Sequence, residues 1–204
     1  MEKRRHYGIA VALAVVFFAL AWWGLPDLLT GWDPVQFALG LAHFDMSVHQ
    51  PHPPGYLGHM ALAAAFEGLG LALGDSVRMA SLFAGAALIV AVFLLGRRLF
   101  SAPVGLAAAL LVATHPLACY GAASGETYSL EALAVVGVVL AGLRLSRTSR
   151  IGPLIAFFLL YGLSGAVRQS IPLFFFPFAL WRLVTTCLDR SPGAWIARFA
   201  LAGT

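Results

Sequence analysis

The sequence predicts an all-α polytopic membrane protein, and three observations support this fold class. Of its 204 residues, 60% are hydrophobic and only 11% are charged, whereas soluble domains carry about 25% charged residues. The mean hydropathy is +0.86, and several apolar runs approach the ~20 residues that a helix needs to cross a bilayer. No stretch alternates apolar and polar residues over ~10 positions, as membrane β-barrel strands do.

We therefore expect one transmembrane domain over residues 1–204, with six spans and one long polar loop. The spans cover approximately residues 8–26, 76–95, 104–120, 127–143, 151–167 and 170–186. The loop, residues 27–75, is expected to carry two juxtamembrane helices on the outer side. A further apolar run begins at 194–204, so the sequence has the appearance of the N-terminal part of a longer chain.

The basic residues predict the orientation in the plasma (inner) membrane. Lys3, Arg4 and Arg5 precede the first span, which puts the N-terminus in the cytoplasm by the positive-inside rule. If the second apolar run of the loop (56–73) stays on the outer surface, the later arginines also sort to the inside, and only Arg78 and Arg168 fall outside. The basic residues predicted inside are Lys3, Arg4, Arg5, Arg97, Arg98, Arg144, Arg147, Arg150, Arg182 and Arg190.

The net charge of +4 does not indicate nucleic-acid binding. The basic residues lie at the predicted helix ends, where orientation signals belong. The two cysteines, Cys119 and Cys187, fall on different spans and have no metal-type spacing. We expect the lipid bilayer, and no nucleic acid, among the partners of this chain.

The first predicted helix of the long loop starts at the segment DPVQ, residues 33–36. Asp is a favoured N-cap, Pro is favoured at the first helical position, and Gln three residues after the Asp completes a capping-box pattern. Phe37, Leu41 and Phe44 then recur at helical spacing. The pattern predicts a short amphipathic helix along the membrane interface, with Asp33 as its N-cap.

Three polar segments are predicted to meet at the outer mouth of the helix bundle. They are the long loop, with Asp33 and HQPHPPGY at 49–56; SGETYSLE at 124–131; and VRQS at 167–170. Carboxylates and an arginine beside low-dielectric walls are costly, so they are candidates for function. The candidate residues are Asp33, His49, His52, Glu126 and Arg168.

This set of residue types suits the transfer of a sugar from a polyprenyl phosphate. The reaction needs a base that takes the proton of the acceptor, and a carboxylate can serve. It also needs a cation that holds the departing phosphate, which an arginine does with paired hydrogen bonds. A phosphate is already a good leaving group, so no strong general acid is required. A lipid-linked donor explains why the polar groups gather at the membrane surface.

The order of segments also resembles a known family. A span, an acidic loop helix and HPPGY are followed by RMASLFAGAALIVAVFLLGRRLF at 78–100 and VGLAAALLVATHPLACYGAASGETYSLEALAVV at 104–136. This order is similar to the N-terminal module of GT-C glycosyltransferases, in particular the protein O-mannosyltransferase and lipid A aminoarabinose transferase group. The resemblance covers essentially the whole chain.

The resemblance implies a role for each candidate residue. The catalytic base of such enzymes falls on Asp33, although the Asp-Glu pair frequent in the family is Asp33-Pro34 here. The basic residue before Pro-Pro falls on His52, the acid that opens the fourth span falls on Glu126, and Arg168 suits the lipid phosphate. The resemblance implies an inverting transfer from a polyprenyl-phosphate-sugar donor to a glycan, lipid or protein acceptor at the outer face, with His49 and His52 among the substrate-binding residues.

Simpler roles are open for the same residues. Asp33 could act only as a helix cap, His52 in a proline turn, Glu126 as a solvated loop residue, and Arg168 as a helix-end anchor. At the level of the whole chain, the alternatives to an enzyme are a secondary transporter with an outer acidic site and a non-catalytic GT-C-like protein. Transporters usually show internal repeats, and none is evident here.

A metal site is not predicted. His43, Asp45, His49 and His52 have suitable side chains for zinc, but their spacing matches no zinc motif. Because some GT-C enzymes use a divalent cation at the loop acid, a weakly bound divalent cation is left open. No other cofactor is expected.

Overall fold

The computed structural model describes residues 2–25, 28–145 and 151–188, and this part of the chain consists of helices and their connections. The predicted all-α fold class is confirmed. The helices are α1 (Glu2–Trp23), α2 (Trp32–Ala42), α3 (Leu57–Glu67), α4 (Leu73–Leu99), α5 (Ala102–Thr114), α6 (Pro116–Ala123), α7 (Tyr128–Leu145), α8 (Ile151–Val167) and α9 (Ser170–Leu188), with a short 3-10 turn at Met46–Val48. The predicted seventh span at 194–204 lies outside the described residues, as do Arg147, Arg150 and Arg190.

Helix α4 is the centre of the bundle and contacts α1, α2, α3, α5, α6 and α7. Its closest neighbour is α5, because glycines let the two backbones meet. A Cβ on Gly96 would lie 2.8 Å from the Cα of Gly105, and a Cβ on Gly105 would lie 2.5 Å from the carbonyl oxygen of Phe93. Small residues at such crossings allow the close van der Waals packing that holds helices together in a membrane.

Three helices, α1, α4 and α7, are long and apolar enough to cross a membrane, as judged by length and composition within the described ranges. The pair α5 and α6 would make a fourth span, while α8 and residues Ser170–Thr186 of α9 are apolar but shorter. The chain is an integral membrane protein with several candidate spans. The exact set of six spans stays a prediction.

The predicted third span, residues 104–120, corresponds to two helices in the structure. The structure divides it into α5 and α6, which are bent by 62° at His115. His115 has an extended backbone (φ −76°, ψ 125°), because the ring of Pro116 disfavours the helical conformation of the residue before it. The bend directs α6 toward the polar connection that precedes α7.

Helices α2 and α3 both lie between α1 and α4, where two short helices are predicted. Each has 11 residues, about half the length that a membrane crossing needs. Phe37 of α2 is fully buried and packs with Met60 and Ala63 of α3 and with Val77 of α4. The loop between the first two long helices is therefore a packed part of the structure, held against one end of α4. Its position along the membrane surface stays a prediction.

Candidate functional site

A group of acidic, basic and phenolic side chains lies at the end of the bundle where α4 begins. We call it the mouth cluster. It consists of Asp33, His52, Tyr56, Glu126, Glu131 and Arg168. The α1–α4, α6–α7 and α8–α9 connections supply most of these residues, and Glu131 comes from the first turn of α7. The structure thus brings together the three polar segments whose convergence is predicted from the sequence.

Asp33 lies in the first turn of α2, and the prediction that it caps the helix is wrong. The N-cap is Gly31 and makes no side-chain hydrogen bond to the helix. This N-cap lies two residues before the predicted one, Asp33. Gly31 has φ 121°, a conformation that L side chains rarely adopt. Gln36 does not complete a capping box. With its amide nitrogen facing His49, it donates to the His49 carbonyl at 2.8 Å and accepts from the Trp32 indole at 2.7 Å.

His52 is held close to Asp33 by aromatic packing. Its ring lies against Phe37 and Tyr56, at centroid distances of 6.2 Å and 5.0 Å. The Nδ1 atom of His52 is 3.9 Å from Oδ1 of Asp33, and the two side chains are 24% and 36% exposed. Asp33 therefore has one partly exposed cationic neighbour when the imidazole is protonated, and its carboxylate remains accessible from outside the bundle.

Glu126 is a mostly buried acid beside α2. The side-chain hydroxyl of Ser81 donates to its backbone carbonyl at 2.7 Å, and Gly125 precedes it with φ 84°. A Cβ on Gly31 would lie 3.7 Å from Oε1 of Glu126, which places this acid next to the start of α2. Burial raises the pKa of Glu126 to about 7, and the nearby negative charges of Asp33 and Glu131 act in the same direction.

Arg168 is paired with Glu131, a residue for which no role is predicted from the sequence. One guanidinium nitrogen, Nη1, donates to both carboxylate oxygens of Glu131, at 2.9 Å and 2.7 Å. The hydrogen bonds and the charge of Glu131 raise the pKa of Arg168, and Thr127 donates its hydroxyl to the same carboxylate. Because 43% of the Arg168 side chain is exposed, its other N–H donors can face a ligand.

Tyr56 links the two halves of the cluster. Its ring contacts His52 and Phe37, and its phenol is influenced by the charges of Arg168 and of the three carboxylates. Burial is the largest effect and raises the pKa of Tyr56, so the hydroxyl stays protonated at neutral pH and can donate a hydrogen bond. The position of Tyr56 between the two halves of the cluster was not predicted from the sequence, although PPGY places it directly after the proline turn.

His49 is the one candidate that the structure does not group with the others. Its side chain is exposed and its backbone is left-handed, with φ 60°, at the end of the 3-10 turn. Asp45 caps that turn by accepting from the amide and the hydroxyl of Ser47. The contact described for His49 toward α2 is the backbone one with Gln36. Among residues 2–25, 28–145 and 151–188, no group of three or more His, Cys, Asp or Glu side chains is arranged to hold a metal ion.

Comparison with protein families gives a match over most of the chain. The family model described as dolichyl-phosphate-mannose-protein mannosyltransferase matches residues 52–203. The matched range includes His52, Tyr56, Glu126, Glu131 and Arg168 and begins after Asp33. Neither a curated protein nor a solved structure gives a significant match to the chain.

Proposed function

Because the chain belongs to the dolichyl-phosphate-mannose-protein mannosyltransferase family, a family of membrane glycosyltransferases, we propose that the mouth cluster is its active site and Asp33 its general base. The reaction is transfer of mannose from a polyprenyl-phosphate-mannose donor to a hydroxyl of a protein acceptor. The observation that carries this proposal is the accessible carboxylate of Asp33 in the same cluster as the Arg168 guanidinium. Membership of a transferase family disfavours the transporter alternative.

The chemistry assigns one task to each part of the cluster. The Asp33 carboxylate takes the proton of the acceptor hydroxyl as its oxygen forms a bond to C1 of the sugar. The bond between C1 and the phosphate oxygen breaks, and the polyprenyl phosphate leaves with the electron pair. Arg168 and His52 hold the phosphate and its developing charge. Attack opposite the leaving group inverts the configuration at C1.

Glu126 is proposed to orient the sugar or the acceptor. A carboxyl group with a pKa near 7 exists in both protonation states at neutral pH, so it can accept or donate a hydrogen bond to a sugar hydroxyl. His49 lies on the exposed side of the adjacent turn. Its proposed role is to contact the more distant part of the acceptor.

The outer face is the proposed location of the reaction. Four arginines lie toward the end of the bundle away from the mouth cluster. They are Arg97 and Arg98 on α4, Arg144 on α7 and Arg182 on α9. The positive-inside rule assigns that end to the cytoplasm. The mouth cluster then faces the opposite side of the membrane, where a polyprenyl-linked donor can enter from the lipid.

The test is mannose transfer by the full-length Asp33→Asn variant with a polyprenyl-phosphate-mannose donor and a peptide acceptor. Loss of the base should lower kcat by roughly 100-fold or more, with donor binding retained because Asn keeps the size of the side chain. Asp45→Asn is the matched control, since Asp45 lies in the same loop and Asn also caps well. Wild-type turnover by correctly folded Asp33→Asn would refute the assignment of the base.

A further inference from the structure

A second polar site lies at the opposite end of the bundle from the mouth cluster. There α1, α4 and α7 surround an open cavity of about 340 Å³, which we call the arginine cavity. Its lining residues are Tyr7, Leu94, Arg97, Arg98, Leu140 and Arg144. Three of these six side chains are cations and none is an acid, so the part of the cavity that the structure describes has an uncompensated positive charge.

Two of the three guanidinium groups are held in place by neighbouring helices. Arg97 lies over the ring of Tyr7, with 4.6 Å between its Cζ and the ring centroid, and donates to the Tyr7 hydroxyl. Arg98 donates from Nη2 to the carbonyl oxygen of Leu143 at 2.7 Å. Each of these two hydrogen bonds uses one of the five N–H donors of an arginine. The remaining donors are fixed in position, which lowers the entropy lost when an anion binds.

The positive-inside rule explains why arginines lie near these helix ends, but it does not require them to share a cavity. Like charges close together repel each other, and this cost is offset when an anion lies between them. A phosphate group is the anion that several arginines bind best, because its oxygens accept hydrogen bonds in the geometry of the guanidinium fork. The chemistry of the cavity therefore indicates a phosphate ligand.

We propose that the arginine cavity binds the phosphate headgroup of an anionic membrane lipid. Leu94 and Leu140 lie one turn before the arginines on their helices and form an apolar wall on the side of the charged groups toward the middle of the helices. The neighbouring face of α1 is also apolar and exposed, with Val11 50% and Val15 60% exposed. A lipid can contact both the cations and this apolar surface, whereas a soluble phosphate contacts only the cations. Basic pockets between transmembrane helices bind lipid headgroups in this way.

The test measures lipid binding to the purified full-length protein in a zwitterionic detergent. Phosphatidylglycerol or phosphatidylcholine is added, and the bound lipid is detected by native mass spectrometry. We expect the wild type to bind phosphatidylglycerol in preference to phosphatidylcholine. The double variant Arg98→Gln/Arg144→Gln should lose roughly tenfold or more in affinity for phosphatidylglycerol, because each arginine near a lipid phosphate contributes substantially to binding. Arg144→Gln alone should give an intermediate loss and disturbs no described contact between helices.

Arg5→Gln is the matched control, because it removes one exposed positive charge from the same end of α1 without changing the cavity. Its lipid affinity should equal that of the wild type. Equal binding of the two lipids, an unchanged affinity in the folded double variant, or an equal loss in Arg5→Gln would overturn the proposal. Displacement of the lipid by excess inorganic phosphate would show that the cavity recognises soluble phosphate, which would overturn the assignment to a lipid.

Discussion

The two ends of α4 hold charged residues in different ways. At the mouth cluster, carboxylates face nitrogen-bearing side chains, with Asp33 beside His52 and Glu131 bound to Arg168. At the other end, Arg97 packs on an aromatic ring and Arg98 binds a backbone carbonyl. Helix C-termini carry unsatisfied carbonyls that attract cations without a carboxylate partner.

We interpret the charges of the mouth cluster as serving the proposed chemistry, and those of the other end as serving membrane orientation and lipid binding. Carboxylates near a membrane raise the cost of folding, and positive residues alone are enough to orient the helices. The gathering of three acids at one end therefore needs a reason other than topology, and the proposed transfer of a proton from an acceptor would be one. Removing charge at the two ends should accordingly have different consequences.

The largest effect in this comparison is expected from Arg168→Gln. The variant loses the proposed contact with the departing phosphate, and a hydrogen bond to a charged group contributes about 1.5–3 kcal/mol. We expect kcat/KM for mannose transfer to fall roughly 10- to 100-fold. Arg5→Gln, which removes an exposed cation from the other end, should retain wild-type transfer in the same assay.

The Arg168→Gln variant also leaves Glu131 without its partner, so a structural cause must be separated from a catalytic one. The double variant Arg168→Gln/Glu131→Gln removes both charges and should recover the melting temperature of the wild type without recovering transfer. Recovery of transfer in this double variant would mean that Arg168 serves only to neutralise Glu131.

The sequence is sufficient to predict the helices and the end at which the polar loops meet. A long apolar run has few alternatives to a membrane-spanning helix. When an even number of spans separates two polar loops, both loops lie on the same side of the membrane. The approach of Asp33, Glu126 and Arg168 follows from this connectivity.

The sequence is not sufficient to predict contacts that depend on the rotation of helices and on local packing. Glu131 and Arg168 are 37 residues apart, and they meet because α7 presents its first turn toward the end of α8. The N-cap of α2 is Gly31 rather than Asp33. The same helix also makes contacts that its own sequence does not reveal: Phe37 is buried, and a Cβ added to Gly40 would lie 2.8 Å from the ring of Pro51.

A smaller effect, on stability, is expected from Glu126→Gln. The pKa of Glu126 is raised to about 7 in the folded protein from an ordinary value of 4.5. The folded state therefore binds a proton more tightly than the unfolded state, so this contribution to stability is present below about pH 4.5 and is lost as the pH rises through about 7. Gln is neutral at every pH. The variant should melt a few degrees higher than the wild type at about pH 8 and similarly at about pH 5.

The measurement is thermal unfolding in detergent as a function of pH. Glu67→Gln is the control, because Glu67 is exposed at the end of α3 and its replacement should leave the pH profile unchanged. If Glu126→Gln kept the pH slope of the wild type, the buried acid of the mouth cluster would not be the source of that slope.

The smallest effect is expected from Tyr56→Phe, which removes a single hydroxyl from the mouth cluster. Phe keeps the ring contacts with Phe37 and His52, so the melting temperature should not change. One neutral hydrogen bond contributes about 0.5–1.5 kcal/mol, and kcat/KM should fall roughly two- to tenfold. Tyr120→Phe, at an exposed position of α6, should transfer mannose at the wild-type rate. If both variants lost activity equally, the phenol of Tyr56 would have no specific part in the reaction, and the functional site would reduce to its charged residues.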